Sequence, residues 1–521
     1  MQFASVSFII FAAVTLLLYY VVPKKIQWVV LLVASYFFYL WGGIEYLGFI
    51  VFTTITTYFT AKIMSKNLGV QDSFLAANKA TLSRDEKKAY KAKIKAKNRV
   101  FLISCLVLNF SLLFFCKGLL AEPFRSMAEG GRFSFLTLAL PLGISFYMFQ
   151  SLGYIIDIYR GGVKAENNFF KFSLFVSFFP QLVQGPISKF SSLAPQLYAP
   201  HKFDRDEFLF GLERILWGFF KKLVIADRIA AAVIELKGPE YTGISFLMLT
   251  IFYAVQIYGD FTGGIDITIG LAQTMGITLT ENFVRPYFSK NIAEYWRRWH
   301  ITLSVWMKDY IFYPLSVSKP MLNLSKSARA KFGNFGKRLP VYVASIITWF
   351  CTGIWHGITP NFVLWGMLNC FFIVLSEELM PLYDKFHGRF HLKDKFWYGG
   401  FEMLRMFMLM NLIRITDLFP DVSVYFSKMG TLFTEFNFHI LWDGTLMNIG
   451  LSALDYFILL GGIILMFAVS LYGEKVGSVR VLLHKHYIIG SVCIFLLLLA
   501  VLLMGSYGIG YNASNFIYNQ F

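Results

Sequence analysis

Two histidines, His300 and His356, stand among apolar residues with tryptophans beside them. His356 lies in the run Thr352-Gly353-Ile354-Trp355-His356-Gly357. An imidazole titrates near neutrality and can take a proton from a hydroxyl, a contribution of about 10²–10⁴ in rate. Gly353 and Gly357 leave room for a substrate. A hydrogen-bonded structural histidine fits the same spacing. His300 follows Trp296-Arg297-Arg298-Trp299 and precedes Lys308, Asp309, Tyr310 and Tyr313. Two guanidiniums can grip phosphate or carboxylate bidentately. Tryptophan, tyrosine and arginine also anchor chains at lipid head groups, and the residues alone leave both readings open. A third constellation is Gly259-Asp260-Phe261-Thr262-Gly263-Gly264-Ile265-Asp266. Its carboxylates either couple to ion movement or cap a broken helix and pair with a basic residue.

No Walker A, GxSxG or HExxH motif is present, nor zinc-type Cys/His spacing. This argues against an ATP-driven pump, the common hydrolases and a metal site. Group transfer or transport remains.

These residues must be positioned by membrane helices. Of 521 residues, 56 % are hydrophobic and 15 % charged, against about 25 % charged in soluble domains. Apolar runs of about 20 residues recur along the chain, the length of a bilayer span. The expected fold is all-α and polytopic, with about 11 transmembrane helices plus re-entrant ones. The net charge of +17 sits in short stretches between apolar runs. It fits the positive-inside rule and anionic lipid heads, and nucleic acid is rejected as a partner. Cys105, Cys116, Cys351, Cys370 and Cys493 read as small buried hydrophobes.

Residues 3–22 read as a first span retained in the mature protein, with its N-terminus outside, because the basic residues follow it. Spans at 26–41 and 44–64 then place the basic loop 65–99 in the cytoplasm. Lys87, Lys91 and Lys95 share one helical face there. Spans at 100–120 and 134–159 follow, joined by an outer loop with Glu122, Arg125 and Glu129. Gln150 and Ser151, inside the second, could bond to neighbouring helices or line a cavity. Residues 166–200 carry Pro180, Gly185 and Pro186 and read as broken, re-entrant backbone. Residues 207–236 read as a tilted helix, 244–276 as a span broken by its carboxylate block, and 282–320 as a re-entrant segment. Residues 321–338 read as cytoplasmic, and 339–381 as a hairpin turning near Thr359-Pro360-Asn361. Spans at 398–418, 451–472 and 487–506 complete one membrane domain over 1–521.

At these residues the sequence resembles the membrane-bound O-acyltransferase (MBOAT) family, in the bacterial branch that includes alginate O-acetylation and teichoic-acid D-alanyl transfer proteins. The resemblance rests on several blocks. They are Phe146–Gln150 with Ile156–Gly161, Phe178–Gln181 through Gly185-Pro186-Ile187, Glu281–Tyr287 with Trp296–Ser304, and Trp355-His356-Gly357 with Phe362–Gly366. It implies a helical ring around a central tunnel or funnel. A cytoplasmic thioester donor would meet an acceptor hydroxyl arriving from the other side. By position in the motif, His356 is the catalytic residue and His300 the second functional histidine. Trp296, Arg297, Arg298, Trp299, Gln150, Trp355 and Asn361 are candidates for substrate binding. Gly259, Gly264 and the block Asn411–Thr416 depart from the family pattern.

The leading expectation is acetyl transfer from acetyl-CoA to an exported or cell-wall polysaccharide in a bacterial cytoplasmic membrane. An extracytoplasmic acyltransferase or accessory membrane protein could finish the transfer, and no cofactor or metal is expected. The second is D-alanyl transfer from an acyl carrier protein's thioester toward teichoic acid, with the basic loop docking the acidic carrier. The third is a transporter or flippase coupled through Asp260 and Asp266.

Overall fold

A computed structural model describes residues 3–119, 141–393 and 395–507. The expected outer loop with Glu122, Arg125 and Glu129, and the start of the span 134–159, lie outside these residues. Every regular element among the described residues is helical. Seven of these helices are long and apolar enough to cross a bilayer: Ile44–Ala77, Arg84–Gly118, Ile244–Thr274, Lys319–His356, Pro360–Phe390, Ala453–Lys475 and Tyr487–Met504. Others of the expected spans are shorter or more polar. Val6–Val21 has 16 residues and Gln27–Leu40 has 14, or about 24 and 21 Å at ~1.5 Å per residue, less than the ~30 Å hydrocarbon core. Phe396–Arg414 carries Glu402 and Arg405 within its length.

The chain forms two compact units. The first comprises Met1–Phe208 and Leu271–Thr280. Here the basic stretch 65–99 is mostly helix. Helices Leu47–Ala77 and Arg84–Leu119 meet in a short turn. The Ser83 hydroxyl accepts from the Glu86 amide at 3.2 Å, while the Glu86 carboxylate accepts from the Ser83 amide at 2.8 Å. This reciprocal cap starts the second helix. Asn67 donates to Asn98 at 2.8 Å between the two helices. The stretch 166–200 is broken as expected, into Phe169–Ser177, Phe179–Leu182 and Phe190–Tyr198.

The second unit comprises Leu209–Gly270 and Glu281–Phe521. The chain passes from Arg205–Phe219 through a π-helical stretch, Phe220–Ala226, into Asp227–Leu236. Helix Ile244–Thr274 packs against it closely. A Cβ at Gly263 would lie 2.8 Å from the Gly218 carbonyl, and one at Gly218 would lie 2.6 Å from the Gly263 carbonyl. The two glycines let the backbones touch, and the helix expected to be broken at the carboxylate block runs through it unbroken. The same approach pairs the carboxylates. Asp266 accepts from Lys221 at 2.6 Å and from Arg214 at 2.9 Å. Asp260 accepts from Lys222 at 2.5 Å.

Residues 282–320 do not span. They form the short helices Pro286–Phe288, Ile292–Arg298, Ile301–Met307, Lys308–Phe312 and Tyr313–Ser316. The expected cytoplasmic stretch 321–338 is helical and leads into the hairpin. The helix Lys319–His356 has a joint at Gly333, where φ is 56°. It ends at His356, and Pro360–Phe390 returns.

Candidate active site

His300 sits where two short helices meet. Its backbone is left-handed, with φ 46° and ψ 52°, a conformation that histidine tolerates better than branched residues. Asn282 holds this corner. Its backbone carbonyl accepts from the Ile301 amide at 2.9 Å. Its side-chain oxygen accepts from the Thr302 amide at 3.1 Å and the Thr302 hydroxyl at 2.9 Å, and lies 3.3 Å from His300 Nδ1. An amide N–H can only donate, so this Asn282 atom is the acceptor. His300 Nδ1 therefore carries the proton, and Nε2 holds the lone pair. Burial, with the nearby positive charge of Arg414 second, pushes the imidazole down to about 3. His300 is a neutral hydrogen-bond acceptor at any physiological pH.

His356 ends its helix because Gly357 turns extended, with φ −171°. Thr359 then stands at the N-cap position of the next helix without a side-chain cap, and Pro360 supplies its fixed φ at the first helical position. The expectation that Gly353 and Gly357 open space for a substrate is not met. A Cβ at Gly353 would lie 2.5 Å from the Phe362 carbonyl, and the Phe362 ring fills the space at Gly357. These glycines let the hairpin close. Asn361 is buried at the turn. It accepts from the Thr359 hydroxyl at 2.6 Å and donates to the Thr416 carbonyl at 3.1 Å. The His356 ring meets Trp365 edge to face at 4.8 Å and Trp355 at 4.9 Å, and Trp355 meets His300 at 6.1 Å.

Both histidines face one cavity of about 20 Å³, with Trp296, Trp299, Trp365, Arg414 and Asp417 among its lining. Such a volume holds about one water. Arg414 and Asp417 were not among the expected site residues. Arg414 is 5 % exposed. Its guanidinium lies 4.2 Å over the Trp299 ring and donates to the Tyr295 hydroxyl at 3.2 Å. Asp417 lies beside Arg414 and Tyr253. No sequence signal singled out Arg414, since the block Asn411–Thr416 read only as a departure from the family pattern.

The other expected residues separate. Trp355 is buried between the two histidines. Arg298 is held by Glu474 and Glu294, at 2.9 and 2.8 Å. Arg297 is exposed. Neither arginine lines the histidine cavity. Gln150 belongs to the first unit, where it donates to the Phe175 carbonyl at 2.8 Å and accepts from Gln181 at 3.0 Å. It satisfies the broken backbone of that unit. A wider cavity of about 730 Å³ lies in the second unit, lined by Arg214, Lys221, Asp266, Glu281, Phe283 and residues of the last helices. Phe283 forms part of its wall and also packs on Trp299 and His300, at 5.0 and 6.4 Å.

Residues 163–419 match the membrane-bound O-acyltransferase family. A probable alginate O-acetylase of Pseudomonas fluorescens is 32 % identical over 384 residues, covering 73 % of this chain and 67 % of its own length. A peptidoglycan O-acetyltransferase of Helicobacter pylori is 31 % identical over 395 residues, covering 69 % of this chain and 66 % of its own. A teichoic acid D-alanyltransferase of Bacillus subtilis is 28 % identical over 234 residues, covering 44 % of this chain and 56 % of its own.

Proposed function

This chain belongs to the membrane-bound O-acyltransferase family, and we propose that it carries an acetyl group from a thioester to hydroxyls of an exported or cell-wall polysaccharide. It is a multi-pass membrane O-acyltransferase. The observation that carries the finer reading is the single cavity shared by His300 and His356. Acyl transfer needs a base for the hydroxyl proton and a dry place for the reacting carbonyl.

His356 is the base in this reading. It takes the acceptor's proton as the hydroxyl oxygen attacks the thioester carbonyl. The C–S bond then breaks, and the proton passes from His356 to the departing thiolate. His300 has its lone pair at Nε2, fixed by the bond at Nδ1, and orients the acceptor hydroxyl as a hydrogen-bond acceptor. Trp355, between the rings, sets their separation.

Acetyl is favoured over D-alanyl because the relatives named for O-acetylation match 73 % and 69 % of the chain, and the D-alanyltransferase 44 %. Acetyl-CoA is the donor in this reading. The chain lies in a bacterial cytoplasmic membrane with its N-terminus outside, which puts the basic hairpin near Arg84 in the cytoplasm. A partner on the far side receives or passes on the acyl group. Coupled transport loses its basis, because Asp260 and Asp266 are held by Lys222, Lys221 and Arg214.

The test is acyl transfer from labelled acetyl-CoA to candidate glycans in membranes carrying the chain. H356A at equal expression is expected to lose at least ~10²-fold in rate. Wild-type rates in H356A would sink the assignment. A carrier-protein D-alanyl thioester as the second donor decides between the two acyl groups.

A further inference from the structure

We propose that Arg414, Trp365 and Trp296 form the oxyanion site of the transfer, holding the negative oxygen of the tetrahedral intermediate by three N–H donors. The proposal rests on the acyl-transfer reading and deepens it. Its basis is a set of buried donors. Arg414 Nε, Trp365 Nε1 and Trp296 Nε1 are each buried and have no hydrogen-bond partner among the described residues. Arg414 is 5 % exposed and Trp365 3 % exposed. Buried N–H groups are rarely left so, because each loses its water without a replacement. Three of them on residues lining one cavity beside two histidines point to a missing acceptor.

The chemistry of the three residues narrows what that acceptor is. An indole N–H donates and never accepts, and a guanidinium is always charged. None can serve as the base. All can meet an oxygen that gains negative charge. The cavity of about 20 Å³ has space for one such atom. When the acceptor oxygen bonds to the thioester carbon, the carbonyl oxygen takes the electron pair of its π bond. That charge returns when the C–S bond breaks.

The donors are fixed before reaction, as electrostatic stabilisation requires. Trp296 and Trp365 pack on each other at 5.7 Å, and both pack on Trp349, at 4.8 and 6.0 Å. Arg414 is clamped by the Trp299 face and the Tyr295 hydroxyl. Asp417 lies beside it in the cavity lining.

The test uses W365F and R414K, which remove a donor while keeping ring or charge, in full-length protein with acetyl-CoA as donor. The expected result is a fall in kcat on the order of 10²-fold for each, with KM for acetyl-CoA unchanged. A second measurement separates this from misfolding. A trifluoromethyl ketone analogue of acetyl-CoA, whose adduct carries a tetrahedral oxygen, is expected to lose affinity in both variants. A thioether analogue without a carbonyl is expected to bind as it does to wild type. Equal losses for both analogues, or an unchanged kcat, would overturn the oxyanion assignment. If wild type transfers acetyl, H356A does not, and W365F and R414K match wild type, only the oxyanion assignment fails. If wild type transfers no acyl group from any thioester, the functional reading fails and takes this one with it.

Discussion

Asn361 donates to the Thr416 carbonyl at 3.1 Å. This bond ties the turn after His356 to the 3₁₀ stretch Ile415–Leu418, which carries Asp417 and follows Arg414 directly. Two walls of the histidine cavity are thus joined by a residue that does not line it. In Asn361→Ala the Thr416 carbonyl keeps only the Phe419 amide as donor, and the tie between the walls is lost, at about 0.5–1.5 kcal/mol. Displacement of the walls by about 1 Å would lower kcat by up to ~10²-fold. Steady-state kinetics on detergent-solubilised N361A, with its melting temperature measured alongside, checks this. Wild-type kcat would contradict it.

The neutral state of His300 predicts a sign. In the unfolded chain its imidazole titrates near ~6.5, and in the fold it is held down to about 3. Between those values the unfolded state binds a proton that the folded state refuses. This residue therefore lowers stability as pH falls from about 6.5 toward 3. Above 6.5 it contributes no pH dependence. The melting temperature of wild type should fall relative to H300Q between pH 7 and pH 4.5. A difference that stays constant over that range would show that His300 is not held neutral.

Asp266 predicts a large effect on stability. Asp266→Asn leaves the buried Lys221 without a carboxylate and Arg214 with Glu281 as its remaining acidic partner. Breaking such a pair costs about 3–5 kcal/mol. Loss of folded protein in size-exclusion chromatography is the expected readout. A well-folded D266N with full acyl transfer would show that the network is dispensable.

The Gly218–Gly263 contact makes a steric prediction. Gly263→Leu places side-chain atoms where the Gly218 carbonyl stands. Overpacking of this kind costs about 1–3 kcal/mol or more. Leucine at Gly461, whose Cβ would meet no atom within 4 Å, should be tolerated in the same assay. Equal melting temperatures for the two variants would refute the packing role.

His300 and His356 were legible because polar rings among apolar residues demand a reason, and tryptophans flank both. Their shared cavity was not legible, since 56 residues separate them in sequence. Arg414 was hidden more thoroughly. A lone arginine at the end of an apolar helix reads as an interface residue, and only the fold shows it turned inward over Trp299. The carboxylate block 259–266 read as an interruption of its span, and its glycines serve another end. In water, glycine weakens a helix. Between membrane helices it allows backbone contact, and the helix continues. The basic stretch 65–99 gave its helical face through Lys87, Lys91 and Lys95, but not its continuity with the spans on either side. For Arg298 the anion-clamp and head-group readings both stayed open because its partner Glu474 lies 176 residues away.

The cavity beside the histidines bears on fuel economy. A thioester is an activated ester, and water competes with any sugar hydroxyl for its carbonyl. A chamber of about 20 Å³ admits roughly one small molecule at a time. When one reacting group occupies it, no idle water shares the space. Turnover and donor consumption should then stay matched while acceptor is bound.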